Sequence, residues 1–162
     1  MSILIQADLR GTISIPKDKS PETLVNEAYK AFEKANIPLP PIDEGFIQLV
    51  SQDLPLVSGQ TLNVHVYDFR NRWTIQDGRN AQAPQADGNA AAQLIWVTET
   101  LPIELFVSIP NVDTRLFHSS LGKLYAPCFY RNGRYCEFGL NEVGLGWHGD
   151  GSLVAFSLMR GS

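Results

Sequence analysis

Short stretches of alternating apolar and polar residues open and close this chain, and the period changes between them. Ile3-Leu4-Ile5 reads as a strand, Leu9-Arg10-Gly11 as a turn, and Ile13-Ser14-Ile15 alternates with period two, so residues 2–16 are expected to form an antiparallel hairpin closed by Pro16. Ser20-Pro21-Glu22 supplies an N-cap hydroxyl, a proline at the first helical position and an acid in the first turn. Leu24, Ala28 and Phe32 then recur at i, i+4 and i+8, which predicts a helix ending near Asn36. The run Pro38-Leu39-Pro40-Pro41 cannot continue it and is read as extended connection. Phe46 to Val50 is expected to be a strand, Val57 to Gln60 a turn, and Leu62, Val64 and Val66 a second alternating strand.

Between about Arg70 and Ala92 bulky residues thin out, apart from Trp73 and Ile75, and Asp77-Gly78 and Asp87-Gly88 punctuate the stretch, which is the best linker candidate. Beyond it the pattern recurs. Leu94 to Thr98 reads as a strand, Ile103, Leu105, Val107 and Ile109 as another, and Asp113-Thr114 as the cap of a helix carrying Leu116, Ser120 and Leu124. Cys128 to Tyr130 and Tyr135-Cys136 flank the turn Arg131-Asn132-Gly133-Arg134, and Leu153 to Met159 forms the last strand. Helix starts at 21 and 114 lie 93 residues apart and last-strand starts at 62 and 153 lie 91 apart, which points to an internal duplication. The expected organisation is therefore a domain over 1–69, a linker over 70–91 and a second domain over 92–162.

Composition narrows the function classes. With 162 residues, 44% hydrophobic and 19% charged, the chain can bury a core. A formal net charge of -4 leaves no cationic excess to neutralise phosphates, so neither nucleic acid nor an anionic membrane is an expected partner. The start lacks a basic region and a sustained apolar run, and the stretch from Leu94 to Pro110 is interrupted by Glu99 and Glu104, so a soluble, cytoplasmic protein is expected. Two cysteines do not make a disulfide framework.

Candidate chemistry gathers in the second half. Cys128, Cys136, His148 and Asp150 are the residue types of a thiol hydrolase, in which a thiolate attacks, an imidazole takes the proton and a carboxylate orients the ring. Their spacing does not demand it, since His148-Gly149-Asp150-Gly151 reads first as a polar turn. A three-residue hairpin loop would bring Cys128 and Cys136 face to face, whereas a two-residue loop would put them on opposite faces. No paired Cys-x-x-Cys or His-x-x-x-His spacing suggests a metal, and no glycine loop followed by a helix suggests a phosphate, so no cofactor is expected. His65 and His118 read as a strand-surface and a helix-face histidine.

Hairpin, helix, strand and final strand within ~70 residues is the order of the ubiquitin-like β-grasp fold. The segment Cys128-Phe129-Tyr130-Arg131-Asn132-Gly133-Arg134 resembles the strand and turn after the ubiquitin helix, and Gly139-Leu140-Asn141-Glu142-Val143-Gly144-Leu145 resembles the block that follows. Gly151 to Ser162 is similar to ubiquitin's last strand and its arginine-glycine-glycine tail, with one glycine followed by serine in place of two glycines. In domain count and length the chain resembles tandem ubiquitin-like modifiers, including the BilA type of bacterial antiphage conjugation systems. The resemblance implies an α+β fold class with two β-grasp domains in tandem and a non-enzymatic modifier joined to target lysines. The conjugation tail would be Arg160, Gly161 and Ser162, joined either through Gly161 after a peptidase removes Ser162 or through Ser162 itself. It also implies an E1-like activating enzyme, an E2-like conjugating enzyme, a JAB-type metallopeptidase and target proteins, phage structural proteins among them, as partners. Phe129 and Phe156 would supply the docking patch. A β-rich binding or virion assembly protein that is never conjugated is the alternative, and a cysteine hydrolase the second.

Overall fold

The computed structural model describes residues 4–82, 85–101, 117–132, 135–147 and 152–159. It is α+β, with four helices and two three-stranded antiparallel sheets among the described residues. The first 14-residue helix, α1 (Pro21–Lys34), is as expected: Ser20 Oγ accepts from the Thr23 N–H at 3.1 Å, and Leu24, Val25, Ala28 and Phe32 are buried. Asn36 takes the left-handed conformation (φ 59°) that lets the chain leave the helix, and the Ile37 N–H reaches back to the Phe32 carbonyl at 2.9 Å. The Tyr29 hydroxyl then accepts from the Ile42 N–H at 2.8 Å and pins the proline-rich run against α1.

Several segments depart from the sequence reading. Residues expected to be a hairpin form one strand, β1 (Leu4–Ser14), because Gly11, at φ +91°, absorbs a bulge between Leu9 and Thr12 instead of reversing the chain. Phe46 to Val50 lies in a helix, α2 (Glu44–Val57), capped by Asp43, whose Oδ1 accepts from the Gly45 N–H at 2.8 Å. Its buried positions Phe46, Leu49, Val50, Asp53, Leu54 and Val57 follow helical spacing over three turns, a pattern wider than the five-residue apolar run. The expected linker carries a third helix, α3 (Ile75–Ala81), with a Thr74/Asp77 capping box. Leu94 to Thr98 belongs to a fourth, α4 (Ala90–Glu99), in which every residue from Ala90 to Val97 is buried. A helix apolar all round has no polar face to reveal its period, and alanine favours it intrinsically.

The strand β2 (Thr61–Phe69) pairs with β1 along one edge. The helix expected to run to Leu124 is replaced, within the described residues, by the short strand β3 (Phe117–His118) and a turn in which Gly122 has φ +79°. That turn leads into β4 (Leu124–Asn132), which pairs with β5 (Tyr135–Glu142) as the hairpin signal required. The last strand, β6 (Ser152–Leu158), occupies its expected place in the sequence. It pairs with β2, from Leu62 opposite Leu158 to Asp68 opposite Ser152, so the two strands that looked like counterparts of one duplicated unit are neighbours in one sheet, ordered β1-β2-β6. The expected strand over 103–109 and the helix start at 113–114 lie outside the described residues.

Burial follows the pleat of β2: Leu62, Val64 and Val66 face a core shared with α1, α2, α4, Phe129, Phe138 and Phe156, while Tyr67 and Phe69 join Trp73, Cys128, Trp147, Leu153 and Ala155 in a second cluster. Residues on both sides of the 70–91 stretch contribute to each cluster. The helices are joined by a buried polar contact. Asp53 Oδ2 accepts from the Ala90 N–H at 2.7 Å and its carbonyl accepts from Asn89 Nδ2 at 3.1 Å, so α2 supplies an acceptor to the N-terminus of α4.

Candidate functional site

The end of β6 is where the expected tail begins. Met159 still donates its N–H to the Thr61 carbonyl at 3.0 Å, which ties the chain to the sheet one residue beyond the strand. Leu158 and Met159 are exposed, at 57% and 44%, and Leu56 on α2 is 59% exposed. Leu56 and Leu158 line one cavity of about 210 Å³ with Val57, Leu62, Asp87, Asn89 and Phe156. Two hairpin-like bonds close its far side, for the Asp87 N–H donates to the Phe156 carbonyl at 2.8 Å and the Phe156 N–H to the Asp87 carbonyl at 2.7 Å. Exposed apolar side chains thus lie at the strand end without being enclosed. Arg160, Gly161 and Ser162 lie outside the described residues.

The expected docking aromatics are elsewhere. Phe129 is fully enclosed, its ring centroid 4.9 Å from that of Phe138 and 6.1 Å from that of Phe32. Phe156 is 4% exposed and packs in the same core. Phe129 offers no surface to a partner and Phe156 is reached only where it lines that cavity, a correction that follows from alternation: odd positions of β4 and even positions of β6 point at the core shared with α1, α2 and α4. Sequence reasoning missed Leu56, Leu158 and Met159 because an apolar residue at a strand end or on a helix is the ordinary signature of burial.

Cys128 pairs with Gly139 and Cys136 with Arg131, the register of a two-residue loop, so the two thiols lie on opposite faces of the hairpin and in different core clusters. Burial pushes the Cys128 thiol up to about 12, outweighing hydrogen bonds from Trp147 and Asn141 that pull it down. Cys136 is raised as well, again by burial, with the Arg131 charge opposing. A nucleophilic cysteine needs the reverse environment, electropositive and partly open. His148 and Asp150, the other members of that constellation, lie outside the described residues. Of the remaining histidines, His65 is half-buried on β2 and His118 falls in strand β3 instead of on a helix face.

No family model, curated protein or solved structure matches this chain. Function must therefore be argued from its own residues. Among the described residues no group of three or more His, Cys, Asp or Glu is placed to hold a metal ion, and no helix is long and apolar enough to cross a membrane.

Proposed function

We propose that this chain is a protein modifier attached through its last residues to lysines of target proteins by separate activating and conjugating enzymes. The observation that supports it best is the exit of β6. A strand held by backbone hydrogen bonds up to Met159 is followed in the sequence by Arg160, Gly161 and Ser162, and exposed apolar side chains lie at its end, Leu158 and Met159 on the chain itself and Leu56 across a shared cavity from Leu158. An activating enzyme has to thread a terminal carboxylate toward ATP and then toward a cysteine, a task that suits small terminal residues such as Gly161, which has no Cβ, and Ser162. Arg160 would pair with an acidic group of that enzyme and set the register. The proposal draws the β-grasp likeness from the sequence of the last ~35 residues and does not depend on two separate β-grasp domains. An antiphage role, with phage structural proteins as targets, belongs to the same proposal and rests on the resemblance alone.

The exposed apolar side chains at the strand end also favour a second reading, a protein that binds through this surface and is never conjugated. The tail separates the two. With an activating enzyme and ATP, a modifier yields a thioester adduct that Gly161→Glu abolishes, and deletion of 160–162 removes function. Normal function after that deletion would overturn the modifier reading in favour of the binding one.

A further inference from the structure

On the face of the β1-β2-β6 sheet opposite α1, α2 and α4, the face against which α3 packs, two polar side chains of β2 converge on one hydroxyl of β6. His65 Nε2 lies 2.7 Å from Ser157 Oγ, and Asn63 Nδ2 donates to the same oxygen at 3.4 Å. The register explains the convergence: Asn63 is directly opposite Ser157, and His65, two residues on, is its diagonal neighbour on the same face. Burial lowers the His65 pKa, favouring the neutral imidazole. With Nε2 unprotonated, the serine O–H donates to it, while the Asn63 amide occupies an Oγ lone pair and would stabilise charge growing there. On the side of the imidazole toward β1 lies a cavity of about 200 Å³ lined by Ala7, Asp8, Leu9, His65, Tyr67 and Ala81. The Tyr67 ring lies nearly parallel to the imidazole, with centroids 6.4 Å apart. A base between a nucleophile and a mostly apolar cavity is placed to pass a proton from the first to a group seated in the second.

We propose that Ser157, His65 and Asn63 form an acyl-transfer site for small esters, with the leaving alcohol or phenol seated in the Leu9–Ala81 cavity. Oγ attacks the ester carbonyl and its proton passes to His65 Nε2. As the C–O bond to the leaving group breaks, the imidazolium returns that proton to the departing oxygen, leaving an acyl-serine and a free alcohol. Water repeats the cycle: its oxygen bonds to the acyl carbon, its proton passes through His65 to Oγ, and the acid is released. No redox change or cofactor is involved, and the site is independent of the tail.

Diisopropyl fluorophosphate tests the nucleophile on the unaltered full chain, because attack by Oγ forms an O–P bond and expels fluoride and the serine proton as HF. One adduct is expected, mapped to Ser157 by peptide mass spectrometry, together with release of p-nitrophenol from p-nitrophenyl acetate. His65→Gln should slow adduct formation by about 10²-fold or more, the usual contribution of a positioned general base. Ser157→Ala should abolish it, and Ser152→Ala, which removes a hydroxyl bonded to Asp68 on the other face at 2.6 Å, should leave it unchanged. The first result needs no variant to fold. No adduct, an adduct on a different residue, or an undiminished rate in His65→Gln would each overturn the proposal.

Discussion

Enclosure outweighs hydrogen bonding in the chemistry of Cys128. Its thiol is held near 12 in the folded chain against an ordinary 9.0, so the fold retains a proton that the unfolded chain releases. That stabilisation is complete below about pH 9 and is lost as pH rises toward the folded value. Denaturation midpoints should therefore fall between pH 8.5 and roughly 10.5, and the slope should flatten in Cys128→Ala. Iodoacetamide should leave Cys128 unmodified in the native chain and label it in denaturant. His65 works in the opposite sense. Burial lowers its pKa, so the folded chain resists a proton that the unfolded chain binds, and stability is full above about pH 6.5 and declines below it. A urea midpoint that falls from pH 7.5 to 5.5 in the native sequence and falls less in His65→Gln would register this. Gly146 is constrained by space as well as by angle. At φ +68°, an added Cβ would meet the Trp73 carbonyl at 2.9 Å, beside the paired backbones of Trp73 and Trp147. Gly146→Ala is expected to destabilise by about 1–3 kcal/mol, the usual cost of a strained backbone position, readable as a lower thermal midpoint.

Elements were legible where their signals are local. Ser20, Pro21 and Glu22 mark the start of α1 within three residues, and Arg131 to Arg134 marks the β4–β5 reversal within four. The misread elements share one cause. In α2 and α4 a compact apolar run fits a buried strand or a buried helix equally well, and only the surrounding packing decides. Asp53 shows the difficulty: its carboxyl lies in the core because Ala90, 37 residues later, presents a backbone N–H to it. The Ser157 cluster and the exposed apolar side chains at the end of β6 were illegible for the same reason, since both depend on the pairing of β2 with a strand about 90 residues away. Replacing Asp53 by Ala should strand that N–H in the core and cost about 1–3 kcal/mol, seen as a reduced denaturation midpoint with an unchanged m value. An unaltered midpoint would mean that the α2–α4 contact contributes nothing.

At the scale of the whole molecule, the central strand β2 hydrogen-bonds to β1 on one side and β6 on the other, and both core clusters draw on residues before 70 and after 91. Two fragments, 1–91 and 92–162, are therefore expected to lack cooperative unfolding when made separately and to recover it on mixing, followed by calorimetry; two independent transitions would restore the organisation read from the repeat spacing. Deleting residues 160–162 should leave the melting temperature unchanged, because among the described residues the sheet is closed by the bond from Met159 to Thr61. The same strand order sets a timetable for synthesis. At the ~5–20 residues per second typical of a ribosome, the partner of β2 emerges roughly 5–20 s after β2 itself. During that interval one row of β2 amides and carbonyls has no β-strand beside it, a template for unwanted pairing with other nascent chains. A ribosome that stalls between β5 and β6 would release a chain in which that row of β2 stays open, a form prone to aggregate.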